Sequence, residues 1–141
     1  MRRLLVLVSL LVVFFGSATV AADQGKVVTI ADNVVLAGGG TIDFPAVDVR
    51  LVSDVSLLGK TTGNGVSLVV KFTTTPGLFG DFLPATGLPG GASCFIDPST
   101  GLNCGAALPL RVAGPFMLIR AFSGCSACST MTFSLDAYLV K

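Results

Sequence analysis

The chain has no histidine, no glutamate and no tryptophan, and its single tyrosine is Tyr138. Without histidine it cannot form a Ser–His or Cys–His nucleophile or an imidazole metal site. Without glutamate, aspartate is the only carboxylate side chain available for acid–base chemistry. The absence of tryptophan and the single tyrosine disfavour a glycan site, because these rings are the usual ones for stacking on a sugar. We therefore expect a protein that is not an enzyme and has no cofactor.

Motifs of several enzyme classes are also missing from the sequence. There is no G-x-S-x-G, no S-x-x-K, no P-loop and no dinucleotide fingerprint. Asp43 and Asp48 are an odd number of residues apart, so an unbroken strand would place them on opposite faces. We expect both to face solvent and predict no catalytic or metal-binding residues. Calcium binding among the aspartates of the first third stays open, although no EF-hand spacing is present.

Charge is also scarce, because only nine basic and eight acidic residues occur among 141. A chain with no basic run has no field to hold phosphates, so nucleic acid is not an expected partner. Molecules with little charge also repel one another only weakly in solution. We therefore expect association with another protein or with further copies of the chain.

The first 22 residues have the pattern of a secretory signal peptide. Arg2 and Arg3 precede an apolar run over residues 4–15, and small residues at 20–22 suit a signal peptidase. The run is shorter than the roughly 20 residues that a membrane-spanning helix needs, although an uncleaved anchor is the alternative. Cleavage would leave one domain, residues 23–141, with seven basic and eight acidic residues and a net charge of −1. We expect it in the periplasm, at the cell surface or outside the cell.

Short β-branched and apolar runs separated by glycine and proline indicate an all-β domain. Gly63-Asn64-Gly65 between two such runs predicts a hairpin, because these residues tolerate positive φ. About nine short strands favour a small antiparallel β-sandwich, jelly-roll-like or immunoglobulin-like, stapled by cystines. The predicted strands cover residues 27–30, 34–37, 41–52, 55–62, 66–75, a hairpin over 94–104, 108–112, 116–122 and 130–140.

The last two runs show the clearest alternation and predict a final hairpin. One face of each run is apolar and is expected to enter the core, whereas Arg120 marks the outer face of the first. Phe116, Leu118 and Phe122 share that outer face and would need cover from a loop. The predicted core residues are Met117, Ile119, Ala121, Met131, Phe133, Leu135, Ala137 and Leu139.

Four cysteines in an exported chain are expected to form disulfides. Cys94 and Cys104 are equidistant from Ser99, so a hairpin centred there would place them opposite each other. Cys125 and Cys128 would then close a tight loop between the last two strands. The alternative for this C-x-x-C pair is a redox site, but a strand-like sequence follows it instead of the required helix.

The segment 76–92 combines large apolar residues with five glycines and three prolines. We expect it to be irregular and to hold the candidate interaction residues Leu78, Phe79, Phe82 and Leu83. Two hypotheses remain open: its rings cover part of the domain, or they form an exposed patch that docks a partner or contacts a membrane.

Two functions are kept for this domain. The first is a non-catalytic structural or protein-interaction domain of the cell envelope or extracellular space. The second is a ligand-binding β-sandwich for an apolar molecule or a glycan, of which the apolar molecule suits the phenylalanine-rich composition better. Membrane contact is expected only through an uncleaved signal or through the 76–92 loop.

Overall fold

The computed structural model describes residues 25–78, 88–105 and 108–141. No helix in these ranges has the length and apolar character needed to cross a membrane. The predicted signal peptide, residues 1–22, lies outside the described residues. The described residues form ten strands: β1 (Lys26–Leu36), β2 (Thr41–Asp43), β3 (Val47–Asp48), β4 (Asp54–Thr62), β5 (Val66–Thr73), β6 (Leu88–Asp97), β7 (Gly101–Cys104), β8 (Leu110–Arg111), β9 (Phe116–Phe122) and β10 (Met131–Val140).

The strands form two sheets in which every pairing is antiparallel. Sheet A has the strand order β1-β10-β4-β8. Sheet B has the order β2-β9-β5-β6-β7, and β3 also pairs with β9. The predicted all-β, antiparallel and disulfide-bonded character is therefore confirmed.

The core is built from the inward faces of both sheets, as the alternation of apolar residues predicts. All eight predicted core residues of β9 and β10 are at most 5% exposed. Phe44, from the link between β2 and β3, meets Phe133 of β10 edge to face, with ring centroids 6.1 Å apart and planes at 81°. This aromatic contact joins sheet A to residues carried by sheet B.

The hairpin predicted at Gly63-Asn64-Gly65 is wrong, because β4 belongs to sheet A and β5 to sheet B. The three residues carry the chain from one sheet to the other over the end of the core. Gly63 has φ of +91°, and the Thr61 hydroxyl donates a hydrogen bond to the Asn64 carbonyl at 3.1 Å. A hairpin and a sheet-to-sheet link both need residues that tolerate positive φ, so the local sequence cannot distinguish them.

The predicted final hairpin is also wrong, since β9 lies in sheet B and β10 in sheet A. The segment between them crosses the core and contains the disulfide Cys125–Cys128, whose Cα atoms are 5.4 Å apart. It packs against the link between β1 and β2, where a Cβ on Gly38 would lie 2.3 Å from the Cys128 carbonyl oxygen. The disulfide therefore stiffens a connection between sheets, not a hairpin turn.

Several strand boundaries differ from the prediction. The predicted strand 41–52 is divided into β2 and β3, and two further differences arise from strand pairing. The predicted strands 27–30 and 34–37 form one strand, β1, which ends at Leu36 and bulges around Asn33 at φ of +50°. Strand β6 begins at Leu88, inside the 76–92 segment predicted to be irregular, because Leu88 pairs with Phe72 of β5. In both cases pairing with a neighbouring strand outweighs the local glycine, proline or asparagine signal.

The two sides of the molecule are closed to different extents. At one side Gly59 of β4 allows close packing, since a Cβ there would lie 2.8 Å from the Ile96 Cδ1 atom of β6. At the other side, edge strand β1 of sheet A faces β2 and β3 of sheet B, and Pro45 interrupts the latter pair. A cleft and a second cavity lie between β1 and these two strands, in a region that we call the seam.

Candidate binding surfaces

The outer face of sheet A carries a group of exposed apolar side chains. Val27, Leu58 and Tyr138 are 60%, 72% and 44% exposed. Val27 pairs directly with Tyr138. On its other side Tyr138 pairs with Ser56 of β4, and Leu58 is the next residue of β4 on the same face. Diagonal neighbours in a sheet are within reach of an aromatic side chain. We call these three residues the sheet A patch.

One charge of each sign flanks the sheet A patch. Asp136 pairs with Leu58, and Lys60 pairs with Ser134, so the two charges are diagonal neighbours across β10 and β4. Among the described residues, no ion pair joins them. The face therefore combines an apolar centre with these two opposite charges; Asp54 and Arg111, which pair with each other across β4 and β8, lie on the same face beyond Ser56.

The seam between β1 and β3 contains a cleft of about 580 Å³. This volume falls in the range of about 300–1,000 Å³ that is usual for small-molecule sites. Its apolar wall extends from Leu139, which is buried, to Leu51, which is 78% exposed. The apolar lining residues are Val28, Val47, Leu51, Val52 and Leu139.

Four charged residues also line the cleft, and three of them are cations: Lys26, Arg50 and Lys141, with Asp48 as the only carboxylate side chain. The Arg50 guanidinium donates from Nε to both Asp48 carboxylate oxygens at 3.0 Å. These hydrogen bonds hold the pKa of Asp48 below its usual range and raise that of Arg50. Within the described ranges, neither lysine has an ion-pair partner, so the side chains that line the cleft have unbalanced positive charge.

A second cavity of about 300 Å³ continues the cleft along the same seam. The two share Val28 and Val47. The second cavity is otherwise lined by residues of β1 and by Phe44, Pro45 and Ala46 of the link between β2 and β3. Along β1 the cleft lies on the side of Lys26 and the cavity on the side of Ile30, so the cations are at one end of this apolar lining.

The outer face of sheet B contains an ion pair that the sequence does not reveal. Arg120 donates from Nε and Nη2 to the two carboxylate oxygens of Asp43 at 2.6 and 2.8 Å. The side chains are 22% and 19% exposed, so the expectation of a solvent-facing Asp43 is wrong. The hydrogen bond to Asp43 raises the pKa of Arg120. Leu118, on the same face, is fully buried, which agrees with its expected need for cover.

The four cysteines form the pairs expected from their positions. Cys94 and Cys104 pair in the β6–β7 hairpin with Cα atoms 3.9 Å apart, and Cys125 bonds to Cys128. The turn of this hairpin is fixed by Asp97, whose carboxylate accepts hydrogen bonds from the Ser99 hydroxyl and backbone and from the Thr100 backbone. The bonds from Ser99 hold the pKa of Asp97 below its usual range.

Only one of the predicted interaction residues of the 76–92 segment is described. Leu78 is 48% exposed. Phe79, Phe82 and Leu83 lie outside the described residues, so the two hypotheses for this loop stay predictions.

The aspartates of the first third do not converge within the described part of the chain. Asp43 and Asp48 each bind an arginine, while Asp54 accepts a hydrogen bond from Ser53 and Asp32 from Asn33. No group of three or more metal-ligating His, Cys, Asp or Glu side chains occurs among the residues described.

No protein-family model matches the chain, and no curated protein matches it in sequence. The two binding surfaces must therefore be interpreted from their own geometry. Sequence reasoning missed the cleft because its residues come from three distant segments. It did place Tyr138 on an outer face, and this was the available signal for the sheet A patch.

Proposed function

We propose that the chain is an exported, non-catalytic structural domain that associates with a second copy of itself through the outer face of sheet A. Its two sheets are then a β-sandwich of the jelly-roll-like or immunoglobulin-like kind. Two disulfides are typical of oxidising compartments, which supports export after removal of residues 1–22. An intact mass that retains those residues would contradict cleavage and indicate an anchor.

The observation that carries self-association is the sheet A patch with its two flanking charges. Three exposed apolar side chains on one flat face lose water-accessible area when a second sheet packs on them. A two-fold axis that passes between Lys60 and Asp136 would place each of them against its opposite in the other copy. An interface of this kind is self-complementary, as two-fold symmetry requires. The nearly neutral net charge of the chain opposes association only weakly.

The test is the mass of the purified chain in solution, measured by sedimentation over a range of concentrations. We expect a monomer–dimer equilibrium that Leu58→Lys shifts strongly toward monomer. Leu51→Lys is the matched control, because Leu51 is similarly exposed, at 78% against 72%, but lies outside the outer face of sheet A. A monomer at all concentrations, or equal effects of both variants, would overturn the proposal.

Charge reversal tests the orientation of the two copies. Lys60→Asp and Asp136→Lys should each weaken the dimer, because each places like charges together. The double variant should restore it, because the charges are again opposite. Failure of the double variant to recover would exclude the proposed axis.

A second candidate function, binding of an apolar small molecule, is favoured by the cleft between β1 and β3. Its volume of about 580 Å³ and its apolar wall suit such a ligand. The only tyrosine, Tyr138, is on the outer face of sheet A and does not line the cleft, which makes a glycan the less favoured ligand.

A further inference from the structure

We propose that the cleft between β1 and β3 binds a free amphipathic carboxylate, a single carboxylate on a linear apolar chain of the fatty-acid type. This inference rests on the second candidate function and specifies its ligand. Three features of the seam lead to it: two lysines without an ion-pair partner among the described residues, the carboxylate already bound to Arg50, and the apolar lining that extends from the cleft to the second cavity.

The ligand charge follows from the charge balance of the cleft. Asp48 neutralises Arg50 through hydrogen bonds of 3.0 Å. Lys26 and Lys141 remain, and no ion pair to either is present in the described ranges. Two ammonium groups beside an apolar wall attract an anion and repel a cation. One carboxylate suits them, whereas a multiply charged anion would also approach Asp48.

The shape of the ligand follows from this apolar lining. The cleft of about 580 Å³ and the cavity of about 300 Å³ share Val28 and Val47. Both lie along β1, the cleft on the side of Lys26 and the cavity on the side of Phe44 and Pro45, so the apolar lining extends along the strand and away from the lysines. A flexible linear chain fills such a space better than a compact ring system.

The position of the site also explains why Leu51 can remain exposed. Leu51 is 78% exposed at the rim of the cleft, on the segment that follows β3. A ligand chain that leaves the lysines and enters the seam passes this side chain. Burial of Leu51 against the ligand would then remove an exposed apolar surface from water.

The experiment measures binding of dodecanoate to the purified full chain by titration calorimetry, below the concentration at which dodecanoate forms micelles. Dodecanol and dodecylammonium are the neutral and cationic probes of equal chain length. We expect saturable binding of dodecanoate and at least tenfold weaker binding of the other two. Affinity should rise about fourfold for each methylene added between octanoate and dodecanoate, as expected for buried methylenes.

The variants separate the head-group contacts from general charge. Lys26→Gln with Lys141→Gln should weaken dodecanoate binding at least tenfold, because each exposed charge contributes about fivefold at ~4 Å in water. Lys71→Gln with Arg111→Gln removes the same charge outside the cleft and should leave binding unchanged. Asp48→Asn should strengthen binding at least twofold, because Arg50 is then free to meet the ligand.

Each contrary result has a distinct meaning. Equal binding of dodecanol and dodecanoate overturns the carboxylate but leaves apolar-ligand binding standing. Absence of binding by all three probes overturns both the carboxylate ligand and the binding of an apolar small molecule. Equal losses in the two double variants overturn the assigned lysines. Binding only to vesicles of anionic phospholipid, with none to free dodecanoate, overturns the free ligand in favour of a membrane surface. The sedimentation test of self-association is independent of all these outcomes.

Discussion

Replacement of Phe133 by alanine tests whether β10 presents its apolar face to a core shared by both sheets. Phe133 is 1% exposed and meets the Phe44 ring at 6.1 Å. Loss of a buried phenylalanine side chain costs about 3–5 kcal/mol. The edge-to-face contact is of a kind that contributes about 0.5–1.5 kcal/mol beyond burial, so we expect the upper half of that range. This is a large part of a total stability of roughly 5–15 kcal/mol.

The assay is equilibrium unfolding in urea with both disulfides oxidised, followed by thermal unfolding. We expect the midpoint to fall with little change in the denaturant slope and Tm to fall by roughly 10–20 °C. Tyr138→Ala is the matched control, because it removes an aromatic ring from the outer face of the same strand. Its cost should stay below about 1 kcal/mol, since Tyr138 is 44% exposed.

A loss below about 1 kcal/mol for Phe133→Ala would refute this reasoning, because it would mean that the ring is not buried in the core. A double-mutant cycle with Phe44→Ala then examines the contact itself. We expect a coupling of about 0.5–1.5 kcal/mol. Additive effects would show that the two rings do not touch.

Three further predictions concern other parts of the fold. Gly59→Ala should destabilise by about 1–3 kcal/mol, because its Cβ would press on a buried neighbour, whereas Gly124→Ala, with open space around it, should be near neutral in the same urea titration. Asp97→Asn should lower stability at neutral pH; because the folded pKa of this carboxyl is depressed, the difference from the parent should disappear as pH falls through that lowered value. Removal of the Cys94–Cys104 bond by double serine substitution should cost roughly 3 kcal/mol of unfolding free energy. In the parent chain, non-reducing peptide mapping should find no link from Cys94 or Cys104 to Cys125 or Cys128.

The faces of the strands could be predicted from the sequence, but their partners could not. Alternation in β10 correctly places Met131 and Phe133 inside and Tyr138 outside, because side chains of a strand alternate between faces. The same alternation does not indicate which strand pairs with β10. For this reason β9 and β10 were predicted to be a hairpin, although the chain between them crosses from sheet B to sheet A.

The hairpin β6–β7 could be predicted in detail because its signals are all local. The turn around Ser99 and the equal spacing of Cys94 and Cys104 fix the register. The cleft could not be predicted, because Lys26, Arg50 and Lys141 meet only after two sheets have assembled. A site of this kind can be predicted from the sequence only when the order of the strands in both sheets is already known.

The position of β10 sets the order in which sheet A can assemble. β10 follows β1 and β4 in the sequence, yet it lies between them, and these two strands do not pair with each other. The pairings of β1 and β4 with β10 therefore cannot form until residues 131–140 have left the ribosome. Strands β5, β6 and β7 pair in sequence order and can form earlier. A nascent chain that lacks β10 cannot pair β1 with a neighbour in sheet A, so this sheet is completed only when residues 131–140 are available.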